Sequence, residues 1–217
     1  MSHEIRTPMN SIIGFSGLLE DDDIEEFEKT QFIKKIKSNS SQLLNLINDI
    51  IDISKIEADQ MTMNKENIDI HIFLKNTLDL FLFEAQKREI HLQYHPPKIL
   101  FIKKIKVDIN RLQQIINNLL TNALKFTQPQ GEITFGYTLL PKQIQFFISD
   151  TGIGIPKKEQ AHIFDRFRQS QIANHQNYGG TGLGLSICKG LVENMGGKIS
   201  FESKLNKGST FYFSFPI

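Results

Sequence analysis

The first 57 residues allow little besides helix, because they contain no glycine after Gly17 and no proline after Pro8. Apolar and small residues recur there at steps of three and four, the spacing of one helix face. Two such series are Ile5, Met9, Ile12, Ser16, Leu19 and Ile33, Ile36, Ser40, Leu43, Ile47, Ile50. The acidic stretch 20–28 interrupts the pattern and indicates a solvated connection into the second helix. We therefore predict an antiparallel helical hairpin over 1–57, with the two series facing each other.

The second helix is apolar over a wider face than one partner requires, since Leu44, Leu46, Ile51 and Ile53 add to its series. A helix of this kind packs against more than one neighbour. A dimeric four-helix bundle satisfies that requirement, so the hairpin is expected to be half of such a bundle in a homodimer.

Beyond residue 57 short β-type runs alternate with helical ones, and glycines and prolines separate them. We predict a linker with a first short strand over 58–67 and a second domain over 68–217. The predicted helices are 70–87, 108–126 and 182–194, and the predicted strands are 90–94, 132–139, 143–149, 198–203 and 209–215. This is a two-layer α+β sandwich. The irregular stretch 152–180 is long for a compact domain and is predicted to be a lid.

Charge and composition exclude several classes of function. Lys plus Arg number 25 against 24 for Asp plus Glu, a net charge of +1, so we expect no nucleic-acid partner. No apolar run approaches the roughly 20 residues that span a bilayer, so we expect no membrane contact by these residues and a cytoplasmic location. The single cysteine and the histidines lack zinc-ligand spacing.

Three polar residues of the predicted helix 108–126 share one face, because Asn118 and Asn122 are four apart and Lys125 follows three later. Carboxamide oxygens beside a lysine suit a hydrated Mg²⁺ that is bound to phosphate. The alternative is that these side chains simply face solvent.

The segment 150–156 (DTGIGIP) directly follows an apolar strand. Asp150 could accept a hydrogen bond from an exocyclic amine such as that of adenine, and Gly152 and Gly154 allow the backbone to approach a flat ligand. The alternative is an ordinary turn.

A second glycine-rich segment, 179–186 (GGTGLGLS), runs directly into a helix. Free amide groups at a helix N-terminus suit phosphate. No strand precedes the segment, which excludes a dinucleotide fold. The alternative is a loop that uses glycine only for flexibility.

His3 differs from the other five histidines because Glu4 adjoins it and Thr7 lies one turn further on, before Pro8. A neutral imidazole is a competent nucleophile, and a neighbouring carboxylate can accept its proton. Taken alone, His3 could equally be a surface histidine.

Together these segments resemble a sensor histidine kinase of the two-component systems. The resemblance rests on six motifs in order: 2–8 (SHEIRTP) the H box, 114–127 (QIINNLLTNALKFT) the N box, 150–156 the first glycine box, 163–167 (IFDRF) the F box, 180–185 (GTGLGL) the second glycine box and 208–211 (GSTF) the closing glycine element. The motifs span nearly the whole chain.

The resemblance implies a dimerisation and phosphotransfer hairpin followed by an ATP-binding domain of the GHKL type, shared with type II topoisomerases and the large heat-shock chaperones. By this likeness Asp150 holds the adenine amine, Asn118 and Asn122 hold Mg²⁺, and Lys125 contacts phosphate. The glycine-rich segments close over the nucleotide, and the lid stabilises the γ-phosphate and docks on the hairpin; the remaining residues so implied are Gly152, Gly154, Arg166, Phe167, Gly180, Thr181, Gly182, Leu183 and Gly184.

The implied chemistry is attack of His3 on ATP with Glu4 as base, then transfer to an aspartate of a response-regulator receiver domain. Thr7 occupies the position that aligns water for the linked phosphatase activity. Because related first helices begin well before the histidine, the hairpin is expected to be an N-terminally truncated fragment, with any membrane tether elsewhere. Two alternatives are a non-catalytic dimerising and receiver-docking module and a plain ATPase clamp, which has no need of a phospho-acceptor helix.

Overall fold

The computed structural model describes residues 2–21, 24–97, 104–168 and 181–217, with only the backbone given for Ser2 and His3. The chain divides into two compact units, residues 1–57 and 58–217. Each unit has its own secondary structure.

The first unit is a hairpin of two helices, α1 (Ser2–Leu18) and α2 (Glu26–Glu57). The stacked rings of Phe15 and Phe32 join them, with ring centroids 5.5 Å apart. Pro8 lies inside α1 and has no N–H to donate within the helix. The predicted antiparallel hairpin is therefore observed.

The face that α2 turns inward differs from the predicted series. The less exposed residues of α2 include Phe32, Ile36, Leu43, Leu46, Ile50 and Ile53, again at steps of three and four. Ile33 and Ile47, which were predicted to face α1, are 44% and 42% exposed, and Leu44 and Ile51 are exposed beside them. Two apolar stripes one residue apart have the same period, so the spacing could not show which of them packs inside the hairpin.

The second unit is an α+β sandwich, which confirms the predicted fold class. Its helices are α3 (Ile70–Lys87), α4 (Ile109–Phe126), α5 (Lys157–Gln160) and α6 (Gly184–Asn194). Its strands are β1 (Glu66–Asp69), β2 (His91–His95), β3 (Lys104–Val107), β4 (Glu132–Leu140), β5 (Gln143–Asp150), β6 (Lys198–Lys204) and β7 (Gly208–Pro216).

Among the described residues, five strands form the main sheet, in the order β2-β4-β5-β7-β6. β2 pairs with β4 in parallel, and the other pairs are antiparallel. Alternate residues of β5 are buried, and the core also takes in Phe135 of β4, Phe146 of β5 and Phe213 of β7. The rings of Phe146 and Phe213 are stacked at 4.8 Å. The buried stripe of α4 and the buried part of α6 complete the core, in which Cys188 and Met195 are both buried.

A small antiparallel sheet of β1 and β3 stands apart from the main one. β1 lies close to where a short strand was expected, whereas β3 and α5 were not predicted, because four residues carry too little periodicity. Asp108 caps α4 by accepting from the amides of Asn110 and Arg111, and its other oxygen accepts from the amide of Asn64. This cap fixes the start of the helix that carries the polar face.

Candidate nucleotide site and phospho-acceptor helix

Asp150 is the last residue of β5 and lies in one row of the sheet with Ser209 of β7 and Ser203 of β6. Its Oδ1 accepts from the amide of Gly152 at 2.8 Å and from the amide of Ser209 at 3.3 Å. No described residue donates to Oδ2. One oxygen is thus held by the protein while the other remains available to a ligand.

The environment of Asp150 disfavours its charge. Burial raises the pKa of the carboxyl from 3.8 to about 6, and the amide donors of Gly152 and Ser209 offset only part of that effect. Burying an ionisable carboxyl group is energetically unfavourable, and such groups are concentrated at functional sites. Asp150 is therefore a candidate ligand-binding residue.

The loop after Asp150 is built for a close backbone approach. A Cβ on Gly152 would overlap the carbonyl oxygen of Phe126, the last residue of α4. Gly154 has φ +65°, and a Cβ there would overlap the carbonyl oxygen of Lys204. Ile153 donates its amide to Phe126 at 3.2 Å and accepts from the amide of Asn206 at 2.7 Å. The loop is therefore clamped between the end of α4 and the β6–β7 turn.

α4 also contacts the second glycine-rich segment. The Nδ2 of Asn118 donates to the carbonyl of Gly184 at 3.4 Å, and a Cβ on Gly184 would meet the Asn118 side chain. Phe126 and Asn118 are about 12 Å apart along the helix at 1.5 Å per residue. One helix thus connects the two glycine-rich segments.

The other two residues of the predicted polar face, Asn122 and Lys125, are half-buried. Asn122 lies one turn beyond Asn118 and makes no hydrogen bond to a described residue. The Nζ of Lys125 lies 4.8 Å from the ring centre of Phe126, and burial lowers the pKa of its ammonium group. Asn118, Asn122 and Lys125 are therefore each partly shielded from solvent.

The start of α6 is shaped by Gly182, which has φ +69° and lies against the backbone of Phe167 and Arg168. The Oγ1 of Thr181 accepts from the amide of Leu183 at 3.2 Å, and Leu183 is fully buried. Gly180 lies outside the described residues. The second glycine box and the end of the F box are therefore in direct contact.

Arg166 and Phe167 are both exposed, and Phe167 has a positive φ of 57°. Phe164 packs edge-on against Phe201 of β6, with ring centroids 5.9 Å apart. The F box therefore anchors one aromatic ring on the sheet and presents the next to solvent.

The candidate residues of the hairpin lie in the first two turns of α1. Thr7 is exposed, its carbonyl accepts from the hydroxyl of Ser11 at 3.1 Å, and Glu4 is half-buried. His3 belongs to the same helix through its backbone.

Sequence reasoning missed three polar residues around Asp150: Ser203, Ser209 and Gln160. The signal for Ser209 was weak but present, since it follows Gly208 in the closing glycine element. Nothing in the local pattern marks Ser203 or Gln160, because their importance depends on strand register and on a contact 43 residues away in sequence.

No cluster of three or more His, Cys, Asp or Glu side chains in the described ranges of the chain could hold a metal ion. Within the same ranges, no helix is both long and apolar enough to cross a bilayer.

The fold is an α+β sandwich joined to a helical hairpin, which is the architecture of a histidine kinase. Family models agree: residues 1–59 match the "His Kinase A (phospho-acceptor) domain", and residues 107–217 match the "Histidine kinase-, DNA gyrase B-, and HSP90-like ATPase". The chain belongs to the sensor histidine kinase family, and the resemblance drawn from its motifs is confirmed.

Individual relatives support this assignment. The circadian input-output histidine kinase CikA of Synechococcus elongatus is 39% identical over 218 residues, which cover 100% of this chain and 29% of CikA. The autoinducer 2 sensor kinase/phosphatase LuxQ of Vibrio vulnificus is 36% identical over 223 residues, with coverages of 100% and 26%. The chain thus spans less than a third of these relatives.

A solved structure shows the same fold. Full-length ShkA in complex with AMPPNP aligns with a TM-score of 0.77 and 29% identity, over 99% of this chain and 44% of ShkA. The ATP-binding type of the second unit therefore rests on both its family model and a related structure.

Proposed function

We propose that this chain is an ATP-dependent protein-histidine kinase that phosphorylates its own His3. The observation that supports the proposal most directly is Asp150, a partly buried carboxylate with one oxygen held by two backbone amides and the other unbonded among the described residues. It lies beside the helix that connects the two glycine-rich segments.

In the proposed complex the free Oδ2 of Asp150 accepts from the exocyclic amine of adenine. Gly152 and Gly154 let the loop lie flat against the base, while Thr181, Gly182, Leu183 and Gly184 turn the start of α6 toward the phosphates. Amide groups at the start of that helix and its dipole favour negative charge. Lys125 adds a positive charge from α4.

The residues present fit a magnesium ion that arrives with the triphosphate. The Nδ2 of Asn118 bonds to Gly184, which leaves its Oδ1 as the atom for a cation, and Asn122 offers a second carboxamide one turn away. Mg²⁺ takes such hard oxygen ligands while keeping several waters. When bound, it would neutralise charge on the phosphates.

The proposed reaction is an in-line displacement. A ring nitrogen of His3 attacks the γ-phosphorus, an N–P bond forms, and the bond to the β-phosphate oxygen breaks as ADP leaves with its electron pair. Glu4 accepts the proton that the phosphorylated ring releases. Arg166 of the F box stabilises charge on the γ-phosphate, and positioning and electrostatics supply most of the catalysis.

We further propose that the phosphoryl group passes to an aspartate of a response-regulator receiver domain and that the hairpin forms a homodimer. The exposed apolar stripe of α2, which includes Ile33, Leu44, Ile47 and Ile51, supports dimerisation. The relative LuxQ is named a sensor kinase/phosphatase, which supports a linked phosphatase activity. Thr7, exposed one turn after His3, is the proposed residue for aligning the attacking water.

The alternative is a non-catalytic module that docks a receiver and uses nucleotide only to change shape. Incubation with γ-labelled ATP and Mg²⁺ separates the two. A kinase gives label that is stable in base and lost in acid, as a phosphoramidate should be, and His3→Gln abolishes it. Label that persists in His3→Gln would overturn the assignment of His3, and nucleotide binding without any label would favour the alternative. The Ser2→Ala variant, which alters the preceding residue, serves as the control.

A further inference from the structure

The hydroxyl of Ser203 joins the two segments that hold Asp150. It accepts from the amide of Ile155 at 2.8 Å, lies 3.0 Å from the carbonyl of Gly208 and lies 2.9 Å from the hydroxyl of Ser209. A serine hydroxyl has one proton and two acceptor positions. All three contacts are satisfied when Ser203 donates to Gly208 and accepts from both Ile155 and Ser209, so the hydroxyl has no remaining freedom.

The two amides that bond to Asp150 belong to these same segments. One is the amide of Gly152, three residues before Ile155 in the loop, and the other is the amide of Ser209, the strand neighbour of Ser203. Ser203 itself does not bond to Asp150. A shift of either segment would move an amide donor away from Oδ1 and turn the carboxylate.

Gln160 makes a second connection between the same segments. Its Nε2 donates to the carbonyl of Ile155 at 2.9 Å and to the carbonyl of Ser203 at 3.1 Å. Both residues are half-buried, so these bonds are partly shielded from water. The loop after Asp150 is thus bonded to β6 through two separate side chains.

We infer that Ser203 is a positioning residue for base recognition, which holds Asp150 in the orientation that accepts the amine of adenine, with Gln160 as its support. The inference rests on the proposed function, since it assigns the choice of adenine to that same site. Ser203 acts through Asp150 and does not touch the nucleotide. Its removal therefore weakens only those ligands that use the 6-amino group.

Calorimetric titration of the whole chain with Mg-ATP and with the 6-deamino analogue, purine riboside triphosphate, tests this. Ser203→Ala is expected to weaken ATP binding by about three- to ten-fold, the effect of one hydrogen bond, and to leave analogue binding unchanged. Ser203→Thr, which keeps the hydroxyl, retains the preference for ATP. The control Ser200→Ala, an exposed position on the same strand, changes neither affinity.

Two further variants make the outcome decisive. In the Asp150→Asn background Ser203→Ala has no additional effect, because the carboxylate that it positions is gone. Gln160→Ala is expected to weaken ATP binding selectively, as Ser203→Ala does. If Ser203→Ala does not fold, Gln160→Ala is used in its place. Equal weakening of ATP and analogue, or additive losses with Asp150→Asn, would mean that Ser203 only supports the fold.

Binding data distinguish an error in the proposed nucleotide site from an error in the role of Ser203. If the unaltered chain binds neither nucleotide, or if Asp150→Asn leaves its preference for ATP intact, the site itself is misplaced and this inference falls with it. If Asp150→Asn abolishes the preference while Ser203→Ala and Gln160→Ala retain it, only the role of Ser203 is refuted.

Discussion

The side-chain amide of Asn118 donates to the main-chain carbonyl of Gly184 at 3.4 Å, across 66 positions of sequence. This bond connects the helix that carries the polar face to the start of the helix that is proposed to meet phosphate. It also leaves the Oδ1 of Asn118 as the atom for the proposed Mg²⁺.

Asn122→Ala should weaken binding of Mg-ATP by about ten-fold, because it removes one proposed oxygen ligand without altering the core. Binding of ATP with the metal chelated should change much less. Calorimetric titration under both conditions measures the difference. Asn117→Ala is the matched control on the same helix, since Asn117 bonds to Gln113 at 2.7 Å instead. Equal losses with and without Mg²⁺ would contradict a metal role.

Asp150→Asn should stabilise the unliganded protein above pH 6. The folded protein raises the pKa of Asp150 from 3.8 to about 6, so ionisation costs folding free energy above pH 6, and that cost disappears as the pH falls toward 3.8. Asparagine keeps an oxygen for the two amide donors and carries no charge.

We expect a gain on the order of 2 kcal/mol in the free energy of unfolding at pH 8, and a smaller gain at pH 5. Urea unfolding at both pH values measures it. A gain that grows as the pH falls would show that the pKa of Asp150 is lowered rather than raised.

Gly154→Ala should destabilise the ATP-binding unit by roughly 1–3 kcal/mol, because the residue has φ +65° and a Cβ would overlap the carbonyl of Lys204. ATP affinity should fall as well, since the loop also carries Gly152. Gly14→Ala provides the contrast: nothing lies within 4 Å of its new Cβ, and alanine should stabilise α1 by roughly 0.5–1 kcal/mol. Urea unfolding of both variants distinguishes them by sign.

Thr7→Ala should leave autophosphorylation intact and slow the dephosphorylation of a phosphorylated receiver domain. The hydroxyl can align water one turn from His3, but it is not needed for attack on ATP. Both activities are measured with the same protein preparation. Arg6→Ala, at the neighbouring exposed position, is the control for the loss of either activity that any substitution in this turn causes. Equal loss of both activities would indicate that Thr7 only supports the helix.

Leu44→Glu should weaken the proposed dimer, because Leu44 is 59% exposed in the hairpin and lies on the apolar stripe of α2. Gln42→Glu places the same charge on an exposed polar position of that helix and should leave association unchanged. Sedimentation velocity over a hundred-fold range of protein concentration compares them. A dimer of unaltered affinity in Leu44→Glu would place the interface elsewhere.

Much of the architecture could be predicted because its signals are local. The helix of residues 70–87 has the predicted bounds. The predicted helix 108–126 differs only at its start, because Asp108 is the N-cap and the helix begins at Ile109. Both were predictable because periodicity and capping act within a few positions. β3 and α5 were not predicted, because each has only four residues and a segment of that length shows no clear hydrophobic period. The inward face of α2 was partly wrong because neighbouring apolar stripes have the same spacing.

The sequence by itself determined the family, the order of the two units and the candidate ligand residues, because each motif is a short run whose chemistry and spacing lie within one element. Only the tertiary structure decided that Ser203, Ser209 and Asp150 form one row, and that α4 connects both glycine-rich segments. Strand register and long-range hydrogen bonds bring together residues tens of positions apart, and no local pattern encodes such pairings.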